Sequence, residues 1–421
     1  MKKIDIIRPS SINAIIGPVG TLKRMLGNRE YFEEHGYDLT VFTYDTINEG
    51  GIKTPPPSES IRAYNPTTSL GGKLKYAVSH YIWKWARICN LFAFYLIQRE
   101  RNKIKKLVKK YINQNRNVDV VQFHSNLEAY YYLKYRKDKS ARTIMFLHTD
   151  GYPYKMILQY YPKLENSWYF RQYKKQYEWT VNNVDRIGFI AKAGQKNFLK
   201  FFPSRTLEDT SVIINGITDL TPSQKQEFDV LRVKSEKAPS FKYRMCCTGT
   251  INSRKGHRII IEAINKLDNR LKSQIHVDFL GEGAERPDLE SLVKKYGLDE
   301  NITFHGFVPN VDVYKYLAKN NIYILMSKNE GLPISIIEAM RASMMVISTN
   351  VSGIPELIDH GYNGFLLEPS ENDLVKALLE LPGTDIMSMG IHSRMRYESE
   401  FTFARMEKEF CDMYDTEFIK Q

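Results

Sequence analysis

Two carboxylates and the turn between them suggest the first piece of chemistry. In MSKNEGLPISIIEAM, residues 326–340, Glu330 stands in a Gly-Pro turn and Glu338 on the helix that this turn predicts, with Pro333 suited to the helix's first turn. Glu338 follows Pro333 by five residues, about 7.5 Å of axial rise, so the two carboxylates are too far apart along the axis to share one proton or one metal ion. They suit two distant hydroxyl-bearing parts of one ligand. Between them, the amides of Gly331 and Leu332 and the positive helix end would accommodate an anion such as a diphosphate. In isolation either glutamate suits a solvated helix face or a cap equally well.

Other residues invite the same double reading. Arg254, Lys255 and Arg258 gather at a predicted helix start in CTGTINSRKGHRIIIEAI, 247–264, where they form either an anion site or a solvated face. His124 and His148 each end a buried-looking strand, a place for a structural histidine or for one that contacts a ligand. Gly17 and Gly20 follow the first strand and let the backbone approach a ligand, or make a tight turn. The four cysteines, Cys89, Cys246, Cys247 and Cys411, are too few for a disulfide framework and form no CxxC pair, which points to a reducing compartment and no zinc.

The elements that must position these residues alternate. Apolar β-branched runs at 3–7, 39–43, 118–123, 143–147, 186–190 and 211–214, and again at 243–248, 274–280, 302–306, 322–326, 345–348 and 364–366, are separated by amphipathic stretches. That is the pattern of α/β domains with parallel sheets. The length of 421 residues predicts two of them. Residues 218–241 are polar, contain two prolines and lack a long apolar face, and are expected to be the linker. The expected division is an N-terminal domain 1–217, a C-terminal domain 242–395, and a terminal helix 396–421 returning to the first domain.

Here the chain resembles the retaining glycosyltransferases of family 4. The resemblance rests on Glu330 and Glu338 as a Glu, seven residues, Glu motif and on VISTNVSGIPELIDHGYNGFLLEP at 346–369. It extends upstream through FLGEGAERPDLESLVKKYGL at 279–298 and ITFHGFVPNVDVYKYLAKNNIYILMS at 302–327. It covers most of the second half. In the first half it is carried by the glycine-bearing loop, HGYDLTVFT at 35–43, DVVQFHS at 119–125, IMFLHTDG at 144–151 and IINGI at 213–217.

The resemblance implies a GT-B fold, two Rossmann-like domains facing each other across a cleft, and metal-independent transfer from a nucleotide-sugar co-substrate with retention of anomeric configuration. No cofactor is implied. By carry-over, Glu330 holds hydroxyls of the donor sugar and Glu338 those of the ribose; Gly17, Gly20, Gly331, Leu332 and Pro333 approach the donor; and Lys255 neutralises the diphosphate. His148 positions the reacting end of the sugar, the donor phosphate itself taking the acceptor's proton. His124 and Asp150 are assigned to the acceptor. The family places an arginine directly after the glycine, whereas Gly249 is followed here by Thr250, so Arg254 is expected to supply the second charge. Ser343 and Met345 depart from the family's small residue and proline at the helix exit, a matter of packing.

Charge is distributed unevenly. The chain carries 60 Lys and Arg against 48 Asp and Glu, net +12, but residues 1–220 are net +16 and residues 221–421 net −4. Segment 73–116 alone is net +11 and interleaves its cations with Tyr81, Trp83, Trp85, Phe92 and Phe94. As a membrane-surface element it would place aromatics in the interface and lysines on anionic headgroups. It also suits an ordinary helix with a core face and solvated lysines. Nucleic acid is disfavoured because no recognised binding motif accompanies the charge. The longest apolar run, LFAFYLI at 91–97, is far short of the roughly 20 residues of a membrane span, and the start, MKKIDIIRPS, is interrupted by Asp5, Arg8 and Pro9 where a secretory signal would be apolar.

The resulting expectation is a cytoplasmic enzyme, peripheral on the inner face of the cell membrane. It would move a hexose, from UDP or GDP, to a lipid-linked or cell-surface polysaccharide such as a capsule. Two other readings stay open: a non-catalytic protein of the same fold that binds nucleotide and an anionic surface, and a sugar-nucleotide hydrolase or epimerase. Oligomeric state is not legible.

Overall fold

The computed structural model describes residues 1–11, 19–55, 85–86, 88–237 and 241–416. Gly17 and the part of the basic segment at 73–84 and 87 lie outside the described residues. The chain forms two compact units, one of Met1–Ile190, Gly194–Ile213 and Glu407–Gln421, the other of Ala191–Ala193 and Ile214–Met406.

Unit one holds β1 (Lys2–Ile7), β2 (Tyr37–Phe42), β3 (Val120–Phe123), β4 (Arg142–Leu147), β5 (Arg186–Phe189) and β6 (Thr210–Val212) in the order β2-β1-β3-β4-β5-β6. Every neighbouring pair is parallel. Helices cover such a sheet on both faces, which is why its strands are near-continuous apolar runs; Ile7, Phe42, Phe123, Met145 and Phe189 meet in one core. Register matters most for the site. Ile7 pairs with Phe123 and Phe123 with Met145, so Arg8, His124 and His148 all emerge at the carboxyl edge of the three central strands. Ligands of open parallel sheets bind at that edge.

Unit two holds β7 (Tyr243–Thr248), β8 (Ile275–Leu280), β9 (Ile302–Gly306), β10 (Ile322–Leu325), β11 (Met345–Thr349) and β12 (Gly364–Leu367), ordered β12-β11-β10-β7-β8-β9 and again wholly parallel. The loops after β7 and β10, which carry the lysine and the first glutamate, leave adjacent strands.

Two parts of the expected division are corrected. Residues 218–241 are for the most part a helix, Pro222–Lys237, that belongs to unit two. Its start is a capping box: Gln224 N–H donates to Thr221 Oγ1 at 3.3 Å, and Thr221 N–H donates to Gln224 Oε1 at 3.1 Å. Phe228 is its buried anchor, and Arg232 donates to Ala342 O at 2.7 Å. The expected terminal helix is two helices, Ile386–Glu400 and Phe403–Asp415, and unit one takes its last segment from Glu407 onward.

The basic segment yields the helix Asn90–Ile112. Ile104, Leu107, Val108 and Tyr111 recur at helical spacing and are buried, so this stretch of the helix is anchored in the core. Lys106, Lys109 and Lys110 are exposed, with Lys109 Nζ 4.6 Å from the centroid of the Tyr135 ring. Toward the amino end, Trp85, Ile88, Leu91 and Tyr95 are exposed, while Phe92 packs on a small cluster around Ala93, Leu164 and Phe170. Among the described residues, no helix is long and apolar enough to cross a membrane.

Candidate active site

In unit two, β7 ends at Thr248, and the chain turns through Gly249–Gly256 into the helix His257–Lys266. Gly256 caps that helix with a φ of 74°, and a Cβ there would lie 1.9 Å from Met326 O, so only glycine lets this turn pack against the end of β10. The close approach has a chemical consequence, because Met326 is followed by the loop that holds Glu330. Lys255 Nζ lies 2.7 Å from Glu330 Oε1, and Arg254 Nη1 lies 3.0 Å from Glu330 Oε2. Arg254 Nη1 also donates to Asn329 O at 2.8 Å, and Ser327 Oγ donates to Glu330 Oε1 at 2.8 Å.

Burial alone would raise the Glu330 carboxyl, but the charges of Lys255 and then Arg254, with hydrogen bonds from Lys255 and Ser327, outweigh it. Glu330 is therefore an anion. Lys255 is nearly buried and Arg254 about one-third exposed, so the charge that remains open to a ligand is mostly arginine's.

The structure thus brings together Glu330, Lys255 and Arg254, three residues chosen from two distant segments. The helix beyond the turn runs Ile334–Arg341, with Pro333 at the N-cap position and not inside the first turn. Glu338 is half-buried on it, and its charge adds to the burial that raises the Cys246 thiol. Gly331 O accepts from Gly353 N at 3.0 Å and Leu332 O from Asn215 Nδ2 at 3.0 Å, which fixes the turn. The amides of Gly331 and Leu332 take part in no hydrogen bond among the described residues. Thr250 is exposed.

In unit one the two histidines meet directly. His124 Nδ1 and His148 Nε2 are 2.6 Å apart, with the rings stacked at 4.9 Å. Arg8 Nη1 donates to His124 O at 3.3 Å. Burial, followed by the charge of Arg8, drives His148 down to about 3; burial, His148 and Arg8 hold His124 well below its ordinary range. Both rings are neutral at physiological pH.

The Asp150 carboxylate accepts from Lys155 Nζ at 2.6 Å and from the amide of Tyr152 at 3.4 Å. One further expectation changes. Gly20 lies within the helix Val19–Gly27 and not in the loop before it; a Cβ there would meet nothing nearer than 3.9 Å.

Residues not singled out from sequence complete the pair's surroundings. Gln122 Nε2 lies 3.1 Å from His124 Nε2, and Tyr414, from the helix Phe403–Asp415, donates its hydroxyl to Gln122 Oε1 at 2.8 Å. Glu128 is fully buried near Arg8, and its carboxyl oxygens have no side-chain hydrogen-bond partner among the described residues. Burial raises it to about 7 against the opposing charge of Arg8. A Ser-x-x-Glu capping signal at 125–128 was the one local cue to this residue, yet Ser125 makes no side-chain cap.

Residues 231–383 match the family model for glycosyl transferases group 1. The chain is 26% identical over 167 residues to the amylovoran biosynthesis glycosyltransferase AmsK of Erwinia amylovora, covering 38% of this chain and 41% of that one. It is 31% identical over 138 residues to the alpha-D-kanosaminyltransferase of Streptomyces kanamyceticus, covering 32% and 36%. The chain thus spans less than half the length of these curated relatives. Among solved structures, HepE from Anabaena in complex with UDP superimposes with a TM-score of 0.66 at 16% identity, covering 98% of this chain and 99% of that one. The two parallel six-stranded sheets are those of the GT-B fold.

Proposed function

We propose, from a chain whose residues 231–383 carry the pattern of the group 1 glycosyltransferases, that it is a retaining, metal-independent glycosyltransferase. It moves a sugar from a nucleotide-sugar, with UDP as the nucleotide, to a lipid-linked or cell-surface polysaccharide acceptor. The observation that carries this reading is the buried Glu330 carboxylate held at 2.7 Å by Lys255 and at 3.0 Å by Arg254, beside two amides with no acceptor among the described residues. A carboxylate that receives sugar hydroxyls and a cation pair that meets a diphosphate are the two halves of a nucleotide-sugar site. The UDP bound to HepE and the amylovoran role in the name of AmsK support the nucleotide and the acceptor class.

In this reading the bond between the sugar's anomeric carbon and the diphosphate breaks, the acceptor oxygen bonds that carbon on the same face, and the acceptor's proton passes to the departing phosphate oxygen. Lys255 and Arg254 stabilise the charge growing on the diphosphate, a role worth more in a poorly hydrated site than in water. Arg254 stands in for the arginine that the family places where this chain has Thr250. Glu338 receives the ribose hydroxyls. His148 is neutral and contributes a hydrogen bond.

The exposed Trp85, Ile88, Leu91 and Tyr95, spaced three or four residues apart before and within the amino end of a lysine-rich helix, support an anionic membrane surface as the partner of segment 73–116. The enzyme would work there from the cytoplasmic side.

A metal-free thermal-shift series with UDP, GDP and their common sugar conjugates, run on wild type and Lys255→Ala, tests the donor site. The expected result is stabilisation by UDP ligands in wild type that is lost in the variant. Stabilisation by none of them in wild type would refute nucleotide-sugar binding.

A further inference from the structure

The last helix reaches the histidine pair through one hydroxyl. Tyr414 is fully buried and donates to Gln122 Oε1 at 2.8 Å; Gln122 Nε2 lies 3.1 Å from His124 Nε2; His124 Nδ1 lies 2.6 Å from His148 Nε2. Donors and acceptors must alternate along this chain, so one end determines the other. With the amide oxygen taken by Tyr414, the amide N–H faces His124 Nε2, which must be bare. A neutral His124 then carries its proton on Nδ1 and donates it to His148 Nε2, which must also be bare. A neutral His148 is left with its proton on Nδ1, an atom that makes no hydrogen bond among the described residues.

The reverse assignment flips the amide and turns every bond around. The Tyr414 oxygen would then accept from the amide, and its own proton would need another acceptor. Among the described residues Tyr414 OH bonds to Gln122 alone. The reversed chain therefore orphans the fully buried Tyr414 hydroxyl proton among the described residues, which the forward chain pairs. Neutrality of both rings, which the argument requires, follows from their burial and from Arg8 at the carbonyl of His124.

We propose that Gln122 and Tyr414 are positioning residues that lock His148 in the Nδ1–H tautomer, making that nitrogen a hydrogen-bond donor to a substrate oxygen and not a proton acceptor. That the oxygen belongs to a sugar or its phosphate rests on the glycosyl-transfer reading; the tautomer does not.

The test uses the full chain labelled with nitrogen-15 at histidine, with the His148 signals assigned by their loss in His148→Gln. At pH 7, His148 shows a protonated Nδ1 and a bare Nε2. In Tyr414→Phe and in Gln122→Met, which remove the hydroxyl and the amide while keeping similar side-chain volumes, the His148 signals shift toward the average of two tautomers. Histidines outside the pair stay in place, which reports that both variants fold. A wild-type His148 protonated at Nε2 overturns the proposal, and so does an unchanged His148 tautomer in a folded Gln122→Met. Turnover of UDP-sugar, measured alongside, separates the two readings. With the tautomer locked, kcat falls in Gln122→Met while KM for the donor holds; a locked tautomer with no turnover in wild type would refute glycosyl transfer and leave the relay standing.

Discussion

Replacing Glu128 by glutamine should stabilise the protein, and only above a definable pH. The carboxyl is fully buried, has no side-chain hydrogen-bond partner among the described residues, and is raised from an ordinary 4.5 to about 7 by that burial, against the pull of Arg8. The native state therefore holds this proton more tightly than the unfolded chain does. The resulting stability is fully present below about 4.5 and is lost as pH rises through about 7. At about 1.4 kcal/mol per pKa unit, the loss across that window is about 3 kcal/mol. Glutamine keeps the shape and cannot ionise, so Glu128→Gln does not suffer this loss. Urea unfolding of both proteins at pH 4.5, 6, 7 and 8 isolates the effect, since every other titrating group is common to the pair. The stability difference should open between the first two or three points in favour of the variant and level off above pH 7. A difference that stays constant with pH, or that opens only above pH 7, would refute the reasoning.

Three further outcomes are expected. Glu330→Gln keeps the fold but removes the charge that Lys255 and Arg254 hold, and sugar transfer measured with a radiolabelled donor should fall on the order of 100-fold. Replacing Lys105, Lys106, Lys109 and Lys110 by glutamine should weaken sedimentation with anionic vesicles by about 1 kcal/mol per lysine while the UDP thermal shift is retained; equal sedimentation would leave these lysines as a solvated face. Thr221→Ala opens the capping box of Pro222–Lys237 and should lower stability by about 1 kcal/mol in denaturant melts, an effect that a flexible linker would not show.

The twelve strands were legible because each is a short, nearly unbroken apolar run, the form a strand takes when helices cover both its faces. The helix Pro222–Lys237 was not, because Phe228 is its single buried apolar anchor and periodicity has little to register; the Thr221 to Gln224 capping pair was the available signal. Glu330 and Glu338 share one segment, so their spacing could be read directly. The pairing of Glu330 with Lys255 could not, since it depends on β7 lying beside β10 and on a glycine that lets two loops touch. The same holds for Arg8, Gln122, His124 and His148. Their proximity is a property of strand order, β1-β3-β4, and of a register that linear spacing does not encode.

The segment Glu407–Asp415 gives the molecule a schedule. It supplies unit one with Tyr414, which bonds Gln122, and with Glu407, whose carboxylate accepts from Asn28 at 2.7 Å, although nearly two hundred residues of unit two intervene in the chain. On a ribosome, where the chain emerges from its amino end, the six strands of unit one are complete long before the helix that finishes their packing has been synthesised. Unit two is nearly whole by then. The half that is made first is therefore the half that matures last, and Gln122 beside its histidine pair gains the Tyr414 hydroxyl only when Glu407–Asp415 has been made.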